Sequence, residues 1–95
     1  MNIQIATQLA TPVLKEYGIK RASLFGSLVK GNMSSDSDID ILVETPPKFG
    51  LFKFSRMRLA LQKALQRDVD LVTYKSISPY MKESILGSTY ILYEA

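Results

Sequence analysis

The chain has 95 residues, of which 46% are hydrophobic and 22% are charged, and its formal net charge at pH 7 is +3. This size and composition are typical of one small globular domain, and they exclude a disordered chain. The sequence contains no cysteine and no histidine, which excludes disulfides, a structural zinc site and histidine-based acid–base catalysis. We therefore predict a single cytoplasmic domain over residues 1–95 that does not enter a membrane.

Apolar periodicity and turn residues divide the chain into helices and strands. In chain order the predicted elements are a helix over residues 3–17, a strand over 21–25, a helical turn over 27–30, a strand over 39–44, a helix over 51–66, a strand over 69–73, a short helix over 80–86 and an extended tail over 89–93. Thr11-Pro12 either kinks the first helix or starts a second helical piece. Arg58 is predicted as a solvated helix residue, and Tyr74 as a packing or partner-contact residue. The order of elements predicts an α/β fold with a small mixed β-sheet flanked by helices.

The start of the second predicted strand carries carboxylates that are hard to explain by packing. Side chains two positions apart in a strand lie on the same face, so Asp38 and Asp40 point together. Two adjacent carboxylates repel each other unless a cation lies between them, and hard oxygen ligands suit Mg²⁺ or Mn²⁺. A solvated turn is the alternative interpretation. An EF-hand calcium loop is excluded, because Ile41 and Pro47 occupy the positions that require glycine and glutamate.

The dipeptide Gly26-Ser27 breaks the first strand just before the predicted helical turn. If a helix begins at Ser27, its free N–H groups and the serine hydroxyl form a cradle for an anion. Gly26 has no side chain and so lets the backbone approach a phosphate closely. Such a dipeptide alone is more typical of a simple turn, and its position before the paired aspartates favours the phosphate interpretation.

These two features together match a known signature. Gly26-Ser27, ten further positions and then Asp38-Ile39-Asp40 resemble the Gly-Ser-x10-Asp-x-Asp motif of DNA polymerase β-like nucleotidyltransferases, and Gly31 and Ser37 also fit it. In particular, the chain resembles the minimal nucleotidyltransferase (MNT-domain) proteins, the antitoxins of HEPN/MNT toxin–antitoxin pairs. The resemblance covers nearly the whole chain and implies the polymerase β-like nucleotidyltransferase fold.

The resemblance also implies roles for individual residues. Val69–Val72 resembles the family's later strand with a third carboxylate, and the parity of Asp70 predicts that it faces away from its apolar neighbours, where it could meet the other two aspartates. The implied catalytic and metal-binding residues are Asp38, Asp40 and Asp70, and the implied nucleotide-binding residues are Gly26, Ser27 and Lys30. The implied cofactor is Mg²⁺, as two ions, with ATP as the substrate.

The function implied by this resemblance is transfer of AMP from ATP to a hydroxyl, expected to be a tyrosine, of a cognate HEPN RNase toxin. The implied partners are that toxin and a nucleoside triphosphate, with no direct nucleic acid contact. The chain is short for a separate acceptor-recognition domain, so a partner is expected to present the acceptor. Two alternatives stay open, a catalytically idle antitoxin that acts by binding alone and a nucleotidyltransferase that acts on a small molecule or RNA.

Overall fold

A computed structural model describes residues 2–31, 38–76 and 89–95, and for Ser27 and Lys30 it describes the backbone only. The described elements are helix α1 (Ile3–Glu16), strand β1 (Arg21–Phe25), helix α2 (Ser27–Lys30), strand β2 (Ile39–Glu44), helix α3 (Leu51–Leu65), strand β3 (Val69–Thr73), a 3₁₀ turn (Tyr74–Ser76) and strand β4 (Tyr90–Glu94). They agree closely with the predicted elements, and the predicted extended tail is β4. The predicted short helix over residues 80–86 lies outside the described residues.

The described strands form one mixed sheet in the order β3-β2-β1-β4. Strand β1 pairs antiparallel with both β2 and β4, whereas β2 and β3 are parallel and are connected through α3. A parallel pair needs such a crossover, because the chain must return to the end of the sheet from which it started. The starts of β2 and β3 therefore lie side by side, and the predicted α/β fold class is confirmed.

Helix α1 begins at a side-chain cap and passes through a proline without ending. The Asn2 side chain accepts a hydrogen bond from the Ile5 backbone N–H at 2.8 Å, which satisfies one of the free donors of the first turn. Pro12 lies inside the helix, where it removes one backbone hydrogen bond. Thr11 therefore does not start a second helical piece, and its hydroxyl instead donates to the Thr7 carbonyl at 2.6 Å.

Helix α3 connects the two parallel strands and buries one stripe of its surface. Met57, Leu61 and Leu65 are its buried residues, and the helix ends at Gln66 in a left-handed conformation with φ of 55°. This spacing of three and four residues is the periodicity that predicted the helix. Neither α3 nor another helix in the described ranges is long and apolar enough to cross a membrane.

The two faces of the sheet have different roles. One face packs against α1 and α3, and its buried core includes Ala6, Ala10, Leu14, Leu24, Ile39, Ile41, Val43, Met57 and Leu61. Alternate residues of a strand face opposite sides, so Asp40, Leu42 and Glu44 of β2 point away from this core. Leu42 is fully buried without belonging to that core. The second face is thus partly covered, and its polar positions lie near the ends of β2.

Candidate active site

Asp40 and Asp70 meet on the sheet face that points away from α1 and α3. The parallel register places Asp40 of β2 opposite Asp70 of β3, and their carboxyl groups are close enough to share a hydrogen bond when Asp40 is protonated. Asp38 lies just before β2, and its negative charge acts on Asp40. The structure therefore brings Asp40 and Asp70 together and leaves Asp38 near enough for its charge to act on Asp40.

Asp40 is the carboxyl group whose proton affinity this arrangement changes. Partial burial raises its pKa from 3.8 to about 6, with further contributions from the negative charges of Asp70 and Asp38 and from the hydrogen bond to Asp70. Each of these effects disfavours the ionised form of Asp40. A divalent cation at the same place would replace the repulsion by attraction and favour the ionised form.

The donor set suits a hard divalent cation. Asp38 and Asp70 are exposed and Asp40 is half-buried, so their oxygens are accessible and leave room for water or phosphate oxygens, which Mg²⁺ usually keeps among its ligands. Within residues 2–31, 38–76 and 89–95, no group of three or more acidic side chains is already arranged to hold a metal ion. The carboxylates share one electrostatic environment without forming a closed ligand cage.

Hydrogen bonds from α3 position the strand that carries Asp70. The Gln62 side chain accepts from the Val69 backbone N–H, and the Arg58 side chain donates to the Val69 carbonyl, each at 3.2 Å. These bonds fix the buried residue directly before Asp70. Arg58 is exposed on α3, as predicted, and its guanidinium also holds the start of β3, which was not predicted. The sequence carries no signal for this contact, which depends on where α3 packs.

The turn from β1 into α2 lies directly beside Asp40. Phe25, the last residue of β1, pairs with Asp40 in the antiparallel register. Gly26 follows with φ of 77°, and α2 then begins at Ser27 and ends at Lys30. Gly26 and the backbone of Ser27 are thus close to the predicted metal ligands, whereas the side chains of Ser27 and Lys30 lie outside the described structure.

The other end of the same sheet face holds a network that the sequence analysis did not find. The hydroxyls of Tyr74 and Ser23 form a hydrogen bond of 2.6 Å, and the Arg21 guanidinium lies 4.1 Å from the centroid of the Tyr74 ring. Arg21 also forms an ion pair with Glu44 at 3.3 Å. Tyr74 therefore packs within the fold, which agrees with one of its two predicted roles.

A large cavity lies at this far end and not at the carboxylates. Its volume is about 1010 Å³, and it is lined by residues of the loop before α3 and of the 3₁₀ turn, with Glu44 at its edge. Asp40 lies at the other end of β2, which is roughly 13 Å away at the usual rise of a strand. We place the candidate site at the aspartates, because neighbouring carboxylate oxygens can bind a divalent cation and the volume of a cleft by itself indicates no chemistry.

The sequence belongs to a described family and has close relatives. Residues 7–92 match the family described as "Nucleotidyltransferase domain". A protein of Methanocaldococcus jannaschii, MJ0435, provisionally named a protein adenylyltransferase, is 41% identical over 87 residues, which cover 92% of this chain and 94% of that protein. The protein adenylyltransferase MntA of Thermococcus cleftensis is 33% identical over 72 residues, which cover 76% of this chain and 73% of that protein.

Solved structures show the same fold. A toxin–antitoxin structure with AMP-PNP contains a chain that is similar with a TM-score of 0.80 and 25% identity, over 94% of this chain and 73% of the other. A complex of the tri-AMPylated HEPN toxin of Shewanella oneidensis with its MNT antitoxin gives a TM-score of 0.74 at 23% identity, over 98% of this chain and 73% of the other. The second match bears on the fold alone. The family match over residues 7–92, supported by this shared fold, shows that the chain belongs to the nucleotidyltransferase-domain family.

Proposed function

We propose that this chain is a Mg²⁺-dependent protein adenylyltransferase that transfers AMP from ATP to a hydroxyl, expected to be a tyrosine, of a HEPN-family RNase toxin, and that it is the antitoxin of this toxin. The observation that carries the proposal is the position of Asp40 beside the turn into α2, with Asp70 opposite it and the Asp38 charge acting on it. The names of the two relatives support a protein as the acceptor. The AMP-PNP in the similar toxin–antitoxin structure supports ATP and a toxin as partner, and the HEPN class of that toxin comes from the family resemblance.

The proposed reaction is an in-line displacement at the α-phosphorus of ATP. The acceptor hydroxyl oxygen forms a bond to this phosphorus, the bond from the phosphorus to the bridging oxygen breaks, and pyrophosphate leaves with the electron pair. Bound Mg²⁺ would supply positive charge for the negative charge that develops in this step. The carboxylates of Asp38, Asp40 and Asp70 would hold these ions.

The other proposed roles rest on the family resemblance and on the positions of Asp70 and Gly26. Asp70 is exposed on β3, at one side of the described sheet, and it orients the acceptor hydroxyl or accepts its proton. The backbone N–H groups after Gly26 bind the β- and γ-phosphates together with Ser27 and Lys30, since donors and positive charge stabilise the departing pyrophosphate. The chain thus supplies both the metal ligands and the phosphate-binding groups.

A second protein presents the acceptor. Asp38 and Asp70 are exposed, so an acceptor hydroxyl carried by another protein can approach them from solvent. We treat residues 1–95 as one minimal nucleotidyltransferase domain. The cysteine-free sequence suits the reducing cytoplasm, where such a toxin would act.

The test is co-expression with a HEPN protein encoded beside this chain, followed by intact-mass measurement of that protein. The wild-type chain should add one or more AMP units and restore growth, the Asp38→Asn, Asp40→Asn double variant should add none, and the control Glu16→Gln should behave as wild type. An unmodified toxin that both forms neutralise would show an antitoxin that acts by binding alone. Incorporation of label from ATP into a small molecule or RNA by the purified chain alone would favour a nucleotidyltransferase that acts on such an acceptor.

A further inference from the structure

Gly26 differs from other positive-φ glycines in what lies against its α-carbon. A Cβ atom added at Gly26 would overlap the Asp40 carboxylate, with Oδ2 far inside van der Waals contact and Cγ at 3.0 Å. Gly18 has a similar φ of 70°, yet nothing lies within 4 Å of its added Cβ. The requirement for glycine at position 26 is therefore steric as well as conformational.

The strand register explains why Asp40 occupies this space. Phe25 and Asp40 form the last pair between β1 and β2, so Gly26 is the first residue beyond the ladder on that side of Asp40. On its other side, Asp40 is opposite Asp70 of β3 in the parallel register, and the two carboxyl groups are close to each other. The Asp40 carboxylate thus lies between the turn into α2 and the second aspartate.

We infer that Gly26 is a positioning residue for Asp40, because the missing side chain leaves the space in which the Asp40 carboxylate reaches Asp70 beside the turn into α2. This differs from the expectation that Gly26 makes room for a phosphate, since the atoms next to its α-carbon belong to the protein's own carboxylate. The expected effect of Gly26 on cation binding rests on the proposed function. The steric part of the inference, that a side chain at position 26 would displace Asp40, does not depend on the proposed function.

The steric part is tested by urea unfolding of Gly26→Ala with Gly18→Ala as the matched control. Both alanines must adopt a positive φ, but only the alanine at position 26 must displace Asp40. We expect the change in the unfolding equilibrium constant to be about 10-fold larger for Gly26→Ala, as overpacking predicts. This excess should disappear when both changes are made in an Asp40→Ala background, because the Cβ of residue 40 is 3.4 Å from the added atom, which is an ordinary contact.

If Gly26→Ala alone fails to fold, recovery of the fold in the Gly26→Ala, Asp40→Ala variant supports the same inference. An excess that persists in the Asp40→Ala background would overturn it, because the clash would then be with another group. Equal stability of Gly26→Ala and Gly18→Ala would overturn it as well.

The positioning role is tested by Mn²⁺ titration followed by electron paramagnetic resonance, which reports the ion and not the fold. Gly26→Ala should weaken Mn²⁺ binding about 10-fold or more, as loss of groups that orient a ligand does, and Gly18→Ala should leave it unchanged. Equal affinity in all three proteins would overturn the positioning role. A wild-type protein that binds no Mn²⁺ would instead contradict the proposed function, while an Asp40-dependent stability excess would still support the steric part.

Discussion

At one end of the sheet face that points away from α1 and α3, Asp40 lies beside Asp70 with Asp38 next to them, and at the other end Arg21 pairs with Glu44 and lies against Tyr74. The first cluster contains like charges, which raise the pKa of Asp40 to about 6 together with its burial. The second contains opposite charges and a hydrogen bond between Tyr74 and Ser23. Strand β2 contributes Asp40 to the first cluster and Glu44 to the second, so one strand carries both kinds of environment.

This difference separates function from stability within one small sheet. Groups that repel each other in the absence of a ligand lower the stability of the free protein, and they are retained where ligand binding uses them. Groups that pair with each other, such as Arg21 with Glu44, stabilise the fold and do not need an ion to balance their charge. Removal of a carboxylate charge at the acidic end should therefore lower activity and raise stability, and loss of a partner at the paired end should lower stability alone.

The largest expected effect is the loss of activity in Asp40→Asn. The neutral amide removes the carboxylate that lies between the turn and Asp70, and loss of groups that merely support a metal ligand already costs about 10- to 100-fold. We therefore expect AMP transfer to fall on the order of 100-fold or more, measured as the initial rate at saturating Mg²⁺-ATP. A rate within a few-fold of that of Glu16→Gln would contradict a role of Asp40 in the reaction.

The next effect is at the paired end, in Tyr74→Phe. This change removes the hydrogen-bond partner of the Ser23 hydroxyl, and Ser23 is only 2% exposed, so the hydroxyl is left without its partner in a buried place. We expect a loss of about 1 to 3 kcal/mol in the free energy of unfolding, measured with urea. The Ser23→Ala, Tyr74→Phe double variant should recover most of the loss, and AMP transfer by either protein should match wild type. No recovery in the double variant would show that Tyr74 stabilises the fold through other contacts.

A smaller effect concerns pH and the metal-free acidic end. The folded protein holds the Asp40 proton more tightly than the unfolded chain, because the pKa is about 6 in place of 3.8. The resulting stabilisation is present below the unfolded value and is lost as the pH rises from about 4 to 6. Asp40→Asn should lack this loss and should be more stable than wild type by about 1 kcal/mol at pH 7, after allowance for solvent screening of a half-buried group. Equal stability of the two proteins at pH 4 and at pH 7 would contradict the raised pKa.

The smallest effect is expected for Glu44→Gln. The ion pair with Arg21 joins side chains that are 43% and 44% exposed, and such pairs contribute about 0.2 to 1 kcal/mol. We expect thermal unfolding to change by no more than this in low salt and by less in 0.5 M NaCl, because the charges are then screened. A larger loss that is insensitive to salt would show that Glu44 has another structural role.

Local patterns in the sequence predicted the elements, and they did not predict the contacts between them. Two local patterns depend only on neighbouring residues: the alternation in Val69–Thr73 and the helical spacing of Met57, Leu61 and Leu65. The bounds of β3 and α3 could therefore be predicted from the sequence. The strand order and parallel sense depend on the whole sheet, and they decide that Phe25 is paired with Asp40. The contact of Gly26 with Asp40 follows from that pairing, so it could not be predicted from the sequence.

The candidate site divides in the same way. A family motif, helped by parity within each strand, predicted Asp38, Asp40 and Asp70, and their roles stay predictions although the structure brings Asp40 and Asp70 together. The supporting residues Arg58 and Gln62 were missed, because a hydrogen bond from α3 to Val69 leaves no pattern in the sequence. Tyr74 could be predicted as a packing residue. Its partner Ser23 could not, because Ser23 lies two strands away.

The central claim is that the three aspartates form a site for divalent cations at the start of β2 and β3. Its most direct test is isothermal titration of Mn²⁺ into the wild-type chain, Asp40→Asn, Asp70→Asn and the control Glu16→Gln at pH 7.5 in the presence of a non-hydrolysable ATP analogue. We predict saturable binding to the wild type and to Glu16→Gln, and at least 10-fold weaker binding to each aspartate variant. Binding of equal affinity and stoichiometry to all of these proteins would contradict the claim.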